Sequence, residues 1–217
     1  MQRARQALAP RRIAGLYALT PDLADTDALT SAVAAAIDGG ASMIQYRNKP
    51  AATELRLRQA TALRALCVAR AVTFIINDDV ALARDVAADG VHLGRDDTNL
   101  ARAREVLGDA PLIGASCYDS LERAEAAVAA GADYIAFGSF YPSATKPDAA
   151  RAGLALLGAA KARWSIPVVA IGGINAGNAR ALIESGADAL AVIADVFLAP
   201  DQQAIEQRAR AIAALFF

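Results

Sequence analysis

Eight short apolar runs, each followed by a segment of helical character, constrain most strongly what this chain can fold into. They are Gly15–Thr20, Met43–Arg47, Thr73–Asn77, Val91–Gly94, Leu112–Ser116, Tyr134–Gly138, Val168–Gly172 and Ala189–Ile193. Several are continuously apolar rather than alternating, the pattern of parallel strands covered on both faces. The stretches between them, such as Asp27–Asp38, Thr53–Arg70 and Ser120–Ala130, are rich in Ala, Leu, Arg and Glu and suit amphipathic helices. Gly40, Gly90, Gly131 and Gly186 precede apolar runs at intervals that fit two strand–helix units, and a glycine there can end a helix in the left-handed conformation. The expected fold is α/β: a (β/α)8 TIM barrel forming a single domain over residues 13–217, behind a basic arm at residues 1–12. An open doubly wound sheet is the alternative, but no GxGxxG follows the first run.

A chain of 217 residues fits one large core. Its 55% apolar content owes much to Ala, and no window reaches the roughly 18 consecutive apolar residues of a membrane span, so the excess is assigned to the core. A net charge of −1 gives no bulk electrostatic case for nucleic acid or an anionic membrane. Cys67 and Cys117 lack metal-ligand spacing and read as reduced core thiols of a cytoplasmic protein. The run Met1–Arg12 carries Arg3, Arg5, Arg11 and Arg12 without the apolar stretch of a secretory signal. Association into a homo-oligomer is left open by the sequence.

The polar residues follow the strands. In a barrel of this kind the active site forms where the βα loops converge at the C-terminal ends of the strands. Those ends carry Gln45–Lys49, Asn77–Asp79, Arg95–Asp97, Ser116, the long segment Ser139–Ala150, Gly172-Gly173 and Ile193-Ala194. Arg47, Lys49 and Lys146 are cations without obvious local ion-pair partners. Ser116, Ser143 and Thr145 offer hydroxyl donors, and glycine at 172 and 173 lets backbone N–H groups approach a phosphate. Asp78 and Asp97 sit on adjacent strand ends and can share one hard cation, as Mg²⁺ prefers. The set suggests a diphosphate leaving group and a phosphorylated second small-molecule substrate. Each piece has a plainer alternative: a solvated loop for QYRNK, a helix cap for Asn77-Asp78-Asp79 (Asp79 in particular), a tight turn for Gly172-Gly173. His92 reads as a hydrogen-bonded core residue, and Trp164 and Tyr134 as packing.

The motifs QYRNK (45–49), NDD (77–79), GVHLGRDD (90–97), GAS (114–116), GSFYPSATKP (138–147), IGGI (171–174) and GADALAVI (186–193) resemble, in order, those of the thiamin phosphate synthase family. The resemblance implies that Gln45, Arg47, Lys49 and Asn77 bind a pyrimidine diphosphate and that Asp78 and Asp97 hold Mg²⁺ on it. It assigns Ser116 to the pyrimidine substrate or leaving group, and Ser143, Thr145 and Lys146 to the space between the two substrates. It gives Gly173, Ile193 and Ala194 to the thiazole phosphate, mainly through backbone N–H groups. The family mechanism it implies is dissociative, with Arg47, Lys49, Ser116 and Lys146 acting on the reacting groups and no nucleophilic side chain. The chain departs from the family pattern at Arg95 (commonly Gln), Ser143 (often Thr) and Ala194 (often Ser). The segment Ser143–Pro147 is expected to close over the diphosphate.

Three other readings are weaker. A thiazole tautomerase, a related barrel, uses a histidine in the loop after strand 5, where this chain reads Ala115-Ser116-Cys117-Tyr118-Asp119. A non-catalytic sensor of thiamin precursors would have no need of the carboxylates and Lys146. A ribulose-phosphate epimerase needs metal-binding histidines on several strands, and the chain has one histidine.

Overall fold

The structure is a computed structural model that describes residues 13–94, 99–142 and 151–217. Eight parallel strands close on themselves in sequence order: β1 (Gly15–Leu19), β2 (Ala41–Tyr46), β3 (Thr73–Asn77), β4 (Gly90–Leu93), β5 (Leu112–Tyr118), β6 (Tyr134–Phe137), β7 (Val168–Ile171) and β8 (Ala189–Val192). Closure is the pairing of Gly15–Ala18 with Ala189–Val192. Helices alternate with the strands: α1 (Thr26–Asp38), α2 (Thr53–Ala69), α3 (Val80–Asp85), α4 (Leu100–Leu107), α5 (Leu121–Ala129), α6 (Ala155–Arg163) and α7 (Ala179–Glu184). After β8 come a short α8 (Ala194–Phe197) and then α9 (Gln202–Ala213). The expected barrel is thus the observed one, with each strand within a few residues of its expected place. No helix among the described residues is long and apolar enough to cross a membrane.

Period-two alternation sorts the strand side chains into two cores. Leu16, Ile44, Phe74, Ile76, Val91, Ile113, Ile135, Val168 and Leu190 face the helices. Tyr17, Met43, Ile75, Tyr134, Val169 and Ala189 fill the barrel. Room inside is scarce. A Cβ on Gly114 would lie 2.0 Å from Cζ of Tyr134, so the glycine of GAS makes space for that ring.

The glycine periodicity needs one correction. Gly40, Gly131 and Gly186 do take positive φ after α1, α5 and α7, but Gly90 does not. It lies within β4, where a Cβ would meet the Leu112 carbonyl at 2.3 Å. The left-handed residue after α3 is Ala87, at φ 50°.

The stronger repeat is the aspartate beside these glycines. Asp89, Asp133 and Asp188 accept from the backbone N–H of Phe74 (2.9 Å), Ile113 (2.7 Å) and Val168 (2.7 Å). Each also pairs with a cation from the preceding even-numbered helix: Arg64 at 2.9 Å, Arg104 at 2.6 Å and Lys161 at 2.9 Å. These clamps tie odd strand, even strand and helix together at the N-terminal face, the end of a TIM barrel that serves stability.

Candidate active site

At the opposite face a cavity of about 720 Å³ opens, lined from all eight strand ends. From β1 come Tyr17 and Leu19, a contribution the sequence reading missed because both sit in an apolar run. From β2, Gln45, Arg47 and Lys49 reach the cavity, while Tyr46 and Asn48 turn the other way and meet Gln59 of α2 at 2.9 and 3.0 Å. QYRNK is therefore two interleaved sets, one for the mouth and one that anchors the loop. Thr20 holds the backbone between them: its Oγ1 donates to the Arg47 carbonyl and accepts from the Arg47 N–H, each at 2.9 Å.

Arg47 and Lys49 have no local ion-pair partner, as expected, but each finds a distant one. Arg47 Nη1 lies 3.1 Å from Asp22 Oδ1, and Lys49 Nζ lies 3.0 Å from Asp78 Oδ2. Both partners come from other strand–helix units, 25 and 29 residues away in sequence, so local inspection could not reveal them. Asp78 is held at φ 63°, a left-handed conformation that Asp tolerates, and its N–H donates to the His92 carbonyl at 2.8 Å. Asn77 lines the cavity beside it. Asp79 caps α3 by accepting from Leu82 N–H at 2.9 Å, as expected.

His92 is buried and hydrogen-bonded, as the sequence suggests, yet it also belongs to the site. Its Nε2 lies 2.9 Å from Ser116 Oγ and its Nδ1 3.1 Å from the Tyr134 hydroxyl, and it lines the cavity. Burial pushes its imidazole down to about 4, the charge of Asp78 acting weakly the other way, so the ring is neutral near pH 7. Tyr134, assigned to packing from sequence, carries a hydroxyl inside this network and stacks on His92 with centroids 5.5 Å apart. Its hydroxyl also meets that of Tyr17 at 3.0 Å, and Gln45 Nε2 donates to Tyr17 at 2.7 Å. Burial raises both phenols, which stay protonated.

On the far side of the mouth, Gly172 and Gly173 have φ of 107° and 63°. A Cβ on Gly173 would lie 2.3 Å from the Pro142 carbonyl, and one on Gly172 2.1 Å from Ser139 Oγ. The double glycine thus lets the segment after β6 run against the end of β7, where Tyr141 N–H donates to the Gly172 carbonyl at 3.0 Å. Ile193 and Ala194 follow β8 and also line the cavity. Ala194 opens α8, so its N–H has no partner within that helix. Arg208 of α9, unforeseen from sequence, reaches the same region and donates to the Asp195 carbonyl at 3.0 Å. Burial raises the Asp195 carboxyl, with Arg208 opposing the shift.

Nine of the expected residues therefore meet at one cavity: Gln45, Arg47, Lys49, Asn77, Asp78, Ser116, Gly173, Ile193 and Ala194. Arg95, Asp97, Ser143, Thr145 and Lys146, with the arm 1–12, lie outside the described residues. Cys67 and Cys117 are buried free thiols with no part in the site.

Known proteins point the same way. The family described as Thiamine monophosphate synthase matches residues 16–196. The thiamine-phosphate synthase of Azoarcus sp. (strain BH72) is 58% identical over 205 residues, covering 94% of this chain and 98% of that protein. That of Thiobacillus denitrificans is 55% identical over 187 residues, covering 86% and 89%. Among solved structures, the thiamine phosphate pyrophosphorylase from Pyrococcus furiosus superposes with a TM-score of 0.84 at 36% identity, covering 95% of this chain and 96% of that one.

Proposed function

The chain belongs to the thiamine monophosphate synthase family, and on that premise we propose that it is the transferase that joins hydroxymethylpyrimidine diphosphate to hydroxyethylthiazole phosphate, or its carboxylated form. The products are thiamin phosphate and pyrophosphate. The observation that carries this reading is the convergence of Gln45, Arg47, Lys49, Asn77, Asp78 and Ser116 on one cavity, opposite the backbone of Gly173 and Ala194. That cavity has cations and side-chain donors from β2, β3 and β5, and the backbone of Gly173 and Ala194 at the ends of β7 and β8, where such barrels commonly bind phosphate.

The aminopyrimidine can carry positive charge on its methylene carbon, so the bond to the diphosphate oxygen breaks ahead of attack. Its electron pair leaves with pyrophosphate, and the thiazole nitrogen forms the new C–N bond. Gln45, Asn77 and Ser116 orient the pyrimidine. Arg47 and Lys49 take up charge on the departing diphosphate, assisted in this reading by Ser143, Thr145 and Lys146. Gly173, Ile193 and Ala194 hold the thiazole phosphate in line. No side-chain nucleophile is required, and burial pushes both thiols up to about 12, which removes them from such a role.

Mg²⁺ fits the donors present: Asp78 supplies a hard carboxylate at the mouth, beside the cations that would flank a diphosphate. Asp97 is the second ligand in this reading. When bound, the ion would neutralise charge on the leaving pyrophosphate. Purified protein given both substrates and Mg²⁺ should release thiamin phosphate and pyrophosphate in equal amounts, and EDTA should stop both. No product from well-folded protein overturns the assignment, and full activity in EDTA overturns the metal.

A further inference from the structure

Four buried polar groups and the half-buried Ser116 form one unbroken chain of hydrogen bonds across the floor of the cavity. Gln45 Nε2 reaches the Tyr17 hydroxyl at 2.7 Å, Tyr17 the Tyr134 hydroxyl at 3.0 Å, Tyr134 His92 Nδ1 at 3.1 Å, and His92 Nε2 Ser116 Oγ at 2.9 Å. It begins and ends on residues assigned to substrate. The three groups between carry no assigned role.

Only two polarities make all four bonds and also spend both tyrosine protons within the series while the imidazole is neutral, because each hydroxyl gives one proton and a neutral imidazole gives one and takes one. With Gln45 donating from Nε2, Tyr17 donates to Tyr134 and Tyr134 donates to His92 Nδ1. The imidazole proton then sits on Nε2 and is given to Ser116. Reversal would need the Gln45 amide turned over and the proton on Nδ1. The first polarity matches the Gln45 orientation observed and the tautomer that neutral imidazoles ordinarily prefer. Its consequence falls at the two ends. Gln45 Oε1 accepts no hydrogen bond among the described residues, and the Ser116 oxygen already accepts one, from His92.

We propose that His92 is a positioning residue: backed by Tyr134 and Tyr17, it donates from Nε2 to Ser116 and so turns the Ser116 hydroxyl proton toward the substrate. Ser116 then presents a donor where Gln45 presents an acceptor, a pairing suited to an aminopyrimidine, which carries an amine and unprotonated ring nitrogens. The role of His92 rests on the functional reading above, but the polarity of the chain does not.

The first measurement needs no catalysis. The chain has a single histidine, so untagged protein labelled with ¹⁵N-histidine gives one imidazole, whose long-range ¹H–¹⁵N correlations at pH 7 identify the protonated nitrogen. A proton on Nε2 alone is expected. A proton on Nδ1, or on both nitrogens, overturns the proposal whether or not the protein makes thiamin phosphate.

The second is a double-mutant cycle on kcat/KM, with thermal melts to confirm folding. His92→Asn keeps a group toward Tyr134 but none toward Ser116, and should lower kcat/KM by about 10-fold, the worth of one hydrogen bond. His92→Gln can return an amide N–H to the Nε2 position and should recover most of that loss. In a Ser116→Ala background, His92→Asn should cost nothing further, because its effect passes through the missing hydroxyl. Multiplicative losses in the double mutant, or equal losses for Asn and Gln, would mean that His92 only fills space.

Discussion

Lys49 Nζ stands 3.0 Å from Asp78 Oδ2, so a cation carried beyond β2 and a carboxylate carried beyond β3 hold each other on one side of the barrel mouth. Lys49 is more than half exposed, and an ion pair in that setting contributes at most about 1 kcal/mol to folding. In the proposed reaction its worth lies in charge placed where the diphosphate would depart. Lys49→Ala should leave the melting temperature nearly unchanged while kcat falls on the order of 10²-fold. A large loss of stability with little loss of rate would assign the pair to structure instead.

Gly114 faces the ring of Tyr134 so closely that no side chain fits between them. Gly114→Ala should force Tyr134 aside at a cost of about 1–3 kcal/mol, the usual range for overpacking. In a domain of this size that lowers the melting temperature by about 2–4 °C per kcal/mol. The displaced hydroxyl would also disturb the chain to Ser116, so kcat/KM should fall in the same variant. An unchanged melt would show that the barrel floor is looser than the structure has it.

The aspartate clamps lie at the other end. Asp89→Ala removes the acceptor of the buried Phe74 N–H and the partner of Arg64, and should cost about 2–4 kcal/mol. Because this face is remote from the cavity, KM for both substrates should hold. A shifted KM with an unchanged melt would contradict that division of labour.

Burial raises the Cys67 and Cys117 thiols from an ordinary value of 9.0 to about 12. Neither should react with a thiol reagent at pH 8 until the protein is unfolded. Raised values mean that between pH 9 and 12 the folded state binds more protons than the unfolded state, so stability is intact below pH 9 and falls as pH rises through that window. Rapid labelling of native protein, or stability that rises across the window, would contradict the burial.

Arg208 lies on α9, outside every motif, yet it enters the region of Ala194. With alanine at 194, a side-chain hydroxyl common in the family is missing there, and in the proposed reaction the nearby Arg208 would supplement the backbone donors. Arg208→Ala should raise KM for the thiazole phosphate several-fold and leave KM for the pyrimidine diphosphate alone. Equal effects on both substrates would place Arg208 outside that subsite.

The barrel was legible because a parallel strand buried on both faces leaves a continuous apolar run, and eight such runs leave few folds open. The mouth was legible because polar residues at β2, β3 and β5 interrupt those runs where strands end. What escaped detection shares one cause. Tyr17, His92 and Tyr134 stand inside apolar runs and look like core until their hydroxyls and ring nitrogens are seen to meet across the barrel. The partners Asp22 and Asp78 come from separate strand–helix units, and the clamp aspartates stand beside glycines that carry the more visible repeat. Proximity of this kind is created by closure of the barrel and has no signature within one segment.

Two arginines at opposite ends of the barrel test most directly the claim that its C-terminal mouth carries the reaction. Arg47 faces the cavity, while Arg104 serves the Asp133 clamp at the other face. Thiamin phosphate formation should be measured for Arg47→Ala and Arg104→Ala, each normalised to folded protein. The account predicts a rate loss on the order of 10²-fold for Arg47→Ala with little change in melting temperature, and the opposite pattern for Arg104→Ala. Full activity in Arg47→Ala, or equal rate losses in the two variants, would contradict it.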